Sequence, residues 1–419
     1  STGILATSGF LAMLVGLVFA GQIAGFTVQA APGTEIFIKT RNVIMIIALD
    51  MFFAPLLSSF RGFHQGTRNL KSYAFSQVLE QFIRIVFLLG LGFLAVYIFK
   101  ADSMWAVYFA VLATSVSSIA AILYFLFVDR KEYPPYLEKA RKQGFPSVDV
   151  KTLLREMFTI SVPYLVIVFL GSNMNISNLL FFNKAMLAHG ETIVQTNLFY
   201  SLMSFTSAKL ISIPVVVSMG FSIAIIPYLT TAVERNDTKL IRKYAEDAMD
   251  TVLYLGVPLC FYLYALSTEI YYTMYGTENY RLGGYVLALS AGMAFFSTFN
   301  PILSQLMMNL RLRRVNIRNL LIGFLIALLS VYPLTRWLGF KGAILSGMLS
   351  SFFIMVSNLS IIHKQTHFNF KLMLRRLMVV LMGIASMQIV FMVLRLLRLQ
   401  VVTPSRWLAL VNLGIYGLL

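Results

Sequence analysis

The stretch Phe75-Ser76-Gln77-Val78-Leu79-Glu80-Gln81-Phe82-Ile83-Arg84-Ile85-Val86-Phe87-Leu88-Leu89-Gly90-Leu91-Gly92-Phe93-Leu94-Ala95-Val96-Tyr97-Ile98-Phe99 decides the fold class. From Ile85 onward it is apolar without interruption, and as a whole it is long enough for a helix to cross a hydrocarbon core of about 30 Å. A helix suits that environment because it satisfies its own backbone hydrogen bonds where water is absent. A membrane β-barrel would read as short alternating segments instead. Similar runs recur near 4–28, 42–60, 104–128, 157–182, 198–231, 248–274, 283–309, 316–337, 341–362, 374–396 and 405–419, so about twelve spans are expected. The sixth is long and is expected to tilt or break near Pro214, which cannot donate a helical hydrogen bond. Composition agrees. Of 419 residues, 58% are hydrophobic and 12% charged, against about 25% charged in a soluble domain. The fold class is an all-α polytopic membrane protein.

The net charge of +17 would suggest nucleic acid in a soluble chain. Here the basic residues lie in short connections, where orientation and anionic headgroups account for them. If the first span runs outward from the cytoplasm, alternate loops hold 22 of the 34 lysines and arginines and the opposite loops hold 10. The first set includes Arg61 and Arg68, Arg130 and Lys131, Arg235 and Lys239, and Arg311 to Arg318. That imbalance follows the positive-inside rule. Arg84 and Lys209 fall within spans. The outer loop with Arg395, Arg398 and Arg406 fits least well. One cysteine, Cys260, leaves no internal disulfide. No signal peptide is read, and an opening Ser-Thr-Gly with an apolar end at Leu419 suggests truncation at both ends.

A weak internal repeat sets the domain plan. Span two ends in Phe60-Arg61-Gly62-Phe63-His64-Gln65-Gly66-Thr67-Arg68, and span eight ends in Gln305-Leu306-Met307-Met308-Asn309-Leu310-Arg311-Leu312-Arg313-Arg314. Each leads through a short basic turn into the next span. Matching them pairs spans one to four with spans seven to ten. It leaves spans five and six without counterparts, as two six-helix lobes would if the first lacked its opening pair. The expected plan is a four-span lobe over 1–128, a cytoplasmic linker over 129–152, a six-span lobe over 153–365 and a closing helix pair over 366–419. Repeats of this type characterise secondary transporters, with substrate held between the lobes.

Intramembrane polar residues are the candidate site. Asp50 lies mid-span; it is either a proton or cation site or a carboxyl bonded to a neighbouring helix. Gln77, Glu80, Gln81 and Arg84 follow i, i+3, i+4, i+7 spacing and form one polar stripe. Glu80 and Arg84 can pair along the helix, either facing a wet cavity or neutralised at the helix entry. Asn173, Asn175 and Asn178 either bond between helices or line a sugar-binding cavity. Lys209 has no acid within a turn on either side, so it faces water, an anionic ligand or an acid on another helix, or snorkels to an interface. A pyrophosphate would suit such a cation. The four histidines, His64, His189, His363 and His367, are read as solvated loop residues, and none has zinc-ligand spacing. No phosphate-binding loop or nucleophile elbow is present, so neither a cofactor nor an enzyme is expected.

Phe60-Arg61-Gly62-Phe63-His64-Gln65-Gly66, then Ser76-Gln77-Val78-Leu79-Glu80-Gln81-Phe82-Ile83-Arg84, resemble Gram-positive flippases of the MurJ and SpoVB type. So do Ile213-Pro214 and Ala224-Ile225-Ile226-Pro227-Tyr228-Leu229. These flippases belong to the multidrug/oligosaccharidyl-lipid/polysaccharide (MOP) exporter superfamily. The resemblance implies a two-lobe bundle of fourteen helices, of which the twelve spans here would be the third to fourteenth. It implies movement of lipid II, the undecaprenyl-pyrophosphate-linked peptidoglycan precursor, by alternating access across the bacterial cytoplasmic membrane. Lys209-Leu210-Ile211-Ser212-Ile213-Pro214 matches a family pattern whose arginine holds pyrophosphate, with Lys in place of Arg. That keeps the charge and loses the bidentate fork. The family's sodium acids have no counterpart in spans five and nine.

The expected substrate-binding residues are therefore Lys209, Asn173, Asn175, Gln77, Glu80, Arg84 and Arg61, with Asp50 as the ion-coupling group. The expected partners are the lipid-linked oligosaccharide, membrane lipids and the cell-wall synthesis machinery; no nucleic acid is expected. The alternatives are export of another lipid-linked polysaccharide unit and a cation/drug antiporter. A membrane glycan polymerase would need long outer loops and a catalytic acid constellation, and the outer loops are short. A non-transporting scaffold would leave the intramembrane charges without a purpose.

Overall fold

A computed structural model describes residues 2–28, 32–67, 69–132, 138, 150–223, 225–276, 278–396 and 405–418. Among them every regular element is a helix or a π turn. Nine helices are long and apolar enough to cross a membrane, and a bent pair makes a tenth. The shorter helices Thr2–Val18 and Arg406–Leu418 occupy the first and last of the twelve expected places. The chain divides into two compact units, residues 1–148 and 149–419.

In the first unit, α1 (Thr2–Val18) and α2 (Ala20–Val28) pack on α3 (Glu35–Gly66). Gly9 and Gly16 permit this approach. A Cβ at Gly16 would stand 2.9 Å from the Ala48 Cβ, and one at Gly9 would meet the Phe52 carbonyl oxygen at 3.0 Å. Small residues at a helix contact let backbones come close where lipid supplies no hydrophobic drive. Thr34 caps α3 by accepting from the Phe37 amide at 3.4 Å. Asn69 caps α4 (Leu70–Phe93) by accepting from the Ser72 amide at 3.3 Å, satisfying amide groups a helix start leaves open. A π turn, Leu94–Ile98, ends α4 before α5 (Met104–Glu132). Between α3 and the loop before α5, the Lys39 ammonium donates to Asp102 at 3.0 Å and holds its carboxyl below the usual carboxylate range. Leu57, Ala121, Ile122 and Phe125 form the apolar core where α3 meets α5.

The second unit opens with α6 (Val150–Gly171) and α7 (Asn173–His189), bent by 49° at Ser172. A Thr192–Gln195 capping box starts α8 (Ile193–Ser201), which runs through a π turn, Leu202–Ser207, into α9 (Ala208–Ile223). α10 (Ile226–Glu234) leads to α11 (Thr238–Thr251), capped by Asp237 and joined through the π turn Val252–Gly256 to α12 (Val257–Ala265). Then follow α13 (Ser267–Tyr275), α14 (Tyr280–Asn309), α15 (Arg313–Leu338), α16 (Phe340–Thr366), α17 (Phe370–Leu396) and α18 (Arg406–Leu418). The largest core gathers Leu253, Leu303, Met307 and Ile362 from α14, α16 and the turn before α12. Buried amides cross-link the helices beside it. Asn319 donates to Asn358 at 2.9 Å, and Asn358 to Asn316 at 3.2 Å.

Two expectations need correction. The sixth span does not break at Pro214, which lies buried inside α9. Its irregularity comes earlier, at the π turn Leu202–Ser207, and α9 runs on through Pro214 to Ile223. Three of the four histidines lie in helices and only His64 is buried, whereas His367 sits exposed in the connection after α16, as expected. His64 lies in α3, is 1% exposed, and its Nε2 is 2.9 Å from Asp129 Oδ1, with its ring stacked on Phe125. His189 ends α7, with Nδ1 2.8 Å from the Arg336 carbonyl oxygen. His363 lies inside α16, with Nδ1 2.9 Å from the Phe368 carbonyl oxygen, and His367 caps that helix in the left-handed region. Most of the expected linker, with Pro134-Pro135, Lys139, Arg141 and Lys142, lies outside the described residues, as do Arg68, Ala224 and Arg398.

Candidate functional site

The first unit gathers one charged cluster. Glu80 on α4 is 8% exposed and stands between two guanidinium groups. Arg61 Nη2 on α3 donates to Glu80 Oε2 at 2.7 Å, and Arg61 Nε donates to Ser76 Oγ at 3.2 Å. Arg84, one turn after Glu80, donates to its other carboxylate oxygen and to Ser117 Oγ on α5 at 3.4 Å. The i, i+4 spacing supplies the Glu80–Arg84 pair; the α3–α4 hairpin brings in Arg61. Three ionised groups leave one net positive charge. Gln77 and Gln81 are exposed, and Gln77 donates to the Tyr73 hydroxyl at 3.0 Å. The polar stripe thus divides into a packed half and an outward half.

Asp50 is half-buried on α3 and accepts from Ser118 Oγ on α5 at 3.0 Å. The His64–Asp129 pair joins the same two helices further along. Sequence reasoning missed this pair because its members are 65 positions apart and share no local spacing.

In the second unit, Lys209 lies in the first turn of α9, near the middle of the span Ile193–Gly220. Its side chain is exposed and makes no ion pair or hydrogen bond among the described residues. Its backbone carbonyl accepts from Ser212 Oγ at 2.6 Å. Asn173 is buried; it donates to Ser350 Oγ at 2.6 Å and accepts from the Met174 amide at 2.6 Å. Asn175 is exposed and Asn178 is buried. Asn173 and Asn175 both line a cavity of about 440 Å³, along with Asn300 and Gln305 of α14. Sequence reasoning missed these last two. Their signal was present as amides inside the apolar eighth span. A second recess of about 730 Å³ lies between α12, α17 and α18, lined by Pro258, Tyr262, Met387, Leu413 and Gly417 among others.

No protein-family model matches the chain. It is 27% identical over 354 residues to the lipid II flippase MurJ of Bacillus subtilis, covering 82% of this chain and 64% of that protein. It is 27% identical over 314 residues to stage V sporulation protein B of the same organism, covering 73% of this chain and 56% of that protein. The chain thus spans less than two thirds of the length of either relative. Among solved structures, an inward-closed lipid II flippase MurJ matches with a TM-score of 0.66 at 13% identity, covering 100% of this chain and 80% of that one. An inward-facing MATE multidrug transporter of the MOP superfamily matches with a TM-score of 0.65 at 14% identity, covering 87% and 82%. The chain is a multi-pass membrane protein, homologous to MurJ and stage V sporulation protein B, with the MOP transporter fold.

Proposed function

We propose that this chain is a non-catalytic flippase that moves an undecaprenyl-pyrophosphate-linked peptidoglycan precursor, lipid II, across the bacterial cytoplasmic membrane by alternating access. The observation that carries this reading is Lys209. An exposed cation within a span, without a partner, is unfavourable in hydrocarbon and suits an aqueous path or an anionic ligand. The similarity to a lipid II flippase over most of the chain supports lipid pyrophosphate as that anion. In this scheme the two units are the moving lobes and Lys209 engages the pyrophosphate. The amides of the second unit face the sugar. The apolar recess beside α17 and α18 takes part of the lipid tail. Arg61, Glu80, Arg84 and Gln77 keep the substrate path hydrated, and the cell-wall synthesis machinery receives the product.

The test is rescue of a bacterium depleted of its own lipid II flippase, with this sequence placed in a protein of full family length. Growth supports the reading. Membrane expression without growth overturns lipid II and favours another lipid-linked polysaccharide.

Asp50 is the coupling group in this proposal, because it is an acid inside a span held by one neutral hydroxyl. Asp50→Asn is expected to abolish stimulation of flipping by an imposed proton gradient in vesicles while flipping without a gradient continues. Unchanged stimulation would remove Asp50 from coupling.

A further inference from the structure

The 440 Å³ cavity lies wholly within residues 149–419, where the α6–α7 bend meets α9, α14, α15 and α16. Its volume is near the lower end of the range of about 300–1,000 Å³ seen for small-molecule sites, a size for a sugar rather than a whole lipid headgroup. No Asp, Glu, Lys, Arg or His lines it. Its polar wall consists of amides and hydroxyls, and methionines such as Met219 and Met293 give it an apolar side.

The wall is rich in unused hydrogen-bonding capacity. Asn300 Nδ2 donates to the Ser351 carbonyl at 3.2 Å, but Asn300 Oδ1 is buried and has no hydrogen-bond partner among the described residues. Pro301 follows it, and its missing N–H leaves the Ser297 carbonyl, one turn earlier, without its helical donor. Ser297 lines the same cavity. The side-chain amides of Asn175 and Gln305 make no hydrogen bond among the described residues. Buried acceptors that lack donors are costly, so a ligand bringing hydroxyl or amide N–H groups fits here. A phosphate would find no cation, and an organic cation would find no carboxylate. A sugar ring has both features the cavity offers: hydroxyls around its rim and an apolar face for the methionines.

We propose that this cavity is a neutral-sugar subsite that takes one amide-bearing hexose ring of the transported lipid, with Asn300 Oδ1 accepting from a sugar hydroxyl. The proposal rests on the flippase reading and deepens it. Val215, which lines the cavity, is six residues beyond Lys209 on α9, a rise of about 9 Å.

The test uses the full chain in nanodiscs and two probes, undecaprenyl pyrophosphate and undecaprenyl-pyrophosphoryl-N-acetylglucosamine. The parent protein is expected to bind the sugar-bearing lipid about tenfold more tightly, which one or two neutral hydrogen bonds supply. Asn300→Leu is expected to remove most of that preference. Gln305→Leu, whose side chain makes no hydrogen bond among the described residues, does the same and covers the case in which the first variant does not fold. Equal binding of the two lipids by the parent overturns the subsite and leaves the flippase reading standing. A preference that survives both variants places sugar recognition elsewhere and also overturns it. Binding of neither lipid overturns the flippase reading and the subsite together. Sodium-dependent thermal stabilisation that is lost in Asn300→Leu, without any sugar preference, would make the cavity a cation site instead.

Discussion

Glu80→Leu is expected to destabilise the folded protein by roughly 3–5 kcal/mol, the range for removing one partner of a buried ion pair. The side chains of Arg61, Glu80 and Arg84 are 19%, 10% and 31% exposed, so solvent screens the cluster poorly. Without the carboxylate, two guanidinium groups face each other across a helix hairpin, with only Ser76, Gln81 and Ser117 left to accept from them. Glu80→Gln keeps the shape and one acceptor oxygen, so its loss is smaller. The triple variant with leucine at 61, 80 and 84 removes the stranded charges and is expected to recover most of the stability, because an apolar seam of similar volume often equals an ion cluster. Thermal melting in nanodiscs reads all three. If Glu80→Leu melts with the parent protein, the cluster does not hold α3 to α4.

This cluster also limits the chemistry assigned to it. Two free arginines would make a strong pyrophosphate clamp. With Glu80 between them the net charge is one, and about half of their ten N–H donors are already engaged. The triple variant separates the two roles. If it folds and still flips lipid, Arg61 and Arg84 are structural; if it folds and fails, they contribute to the path.

How much of this was legible in the sequence depends on the range of each interaction. Nine spanning helices and the bent tenth follow from apolar run length, a local property, whereas the first and last expected spans hold only shorter helices; the Glu80–Arg84 pair follows from helix periodicity. The entry of Arg61 into that pair is short-range too, since its helix is joined to α4 by a tight turn. The His64–Asp129 bond and the Asn316–Asn319–Asn358 chain are different. Each depends on helices meeting at a particular rotation, which a single span does not encode. Pro214 misled for a related reason: proline's cost in a membrane helix depends on what its neighbours can re-satisfy, and α9 continues through it to Ile223. Asn173 and Asn175 were visible as amides in an apolar run, whereas the cavity they share with Asn300 and Gln305 needed the bend at Ser172.

Lys209→Ala is expected to lower lipid II flipping by about 10–150-fold, the effect of losing a charge-assisted hydrogen bond worth about 1.5–3 kcal/mol. Stability is expected to move the other way, or not at all. The ammonium makes no hydrogen bond or ion pair among the described residues, so the folded state loses no polar contact. Placing a lysine at the centre of a membrane helix costs about 2.5–3.5 kcal/mol on insertion scales, and alanine relieves whatever part of that the native protein bears. Reduced transport with an unchanged or raised melting temperature is therefore the signature of a binding residue rather than a structural one. Lys209→Arg retains the charge and is expected to keep most activity, with a shifted optimum because guanidinium geometry differs. Lys209→Met preserves the stem without the charge and is expected to behave like alanine. Added salt should weaken the parent protein's binding more than that of either neutral variant, provided the site is wet enough to be screened. Equal flipping by Lys209→Ala and the parent would show that this cation serves only to anchor the helix at an interface, and the pyrophosphate assignment would fall.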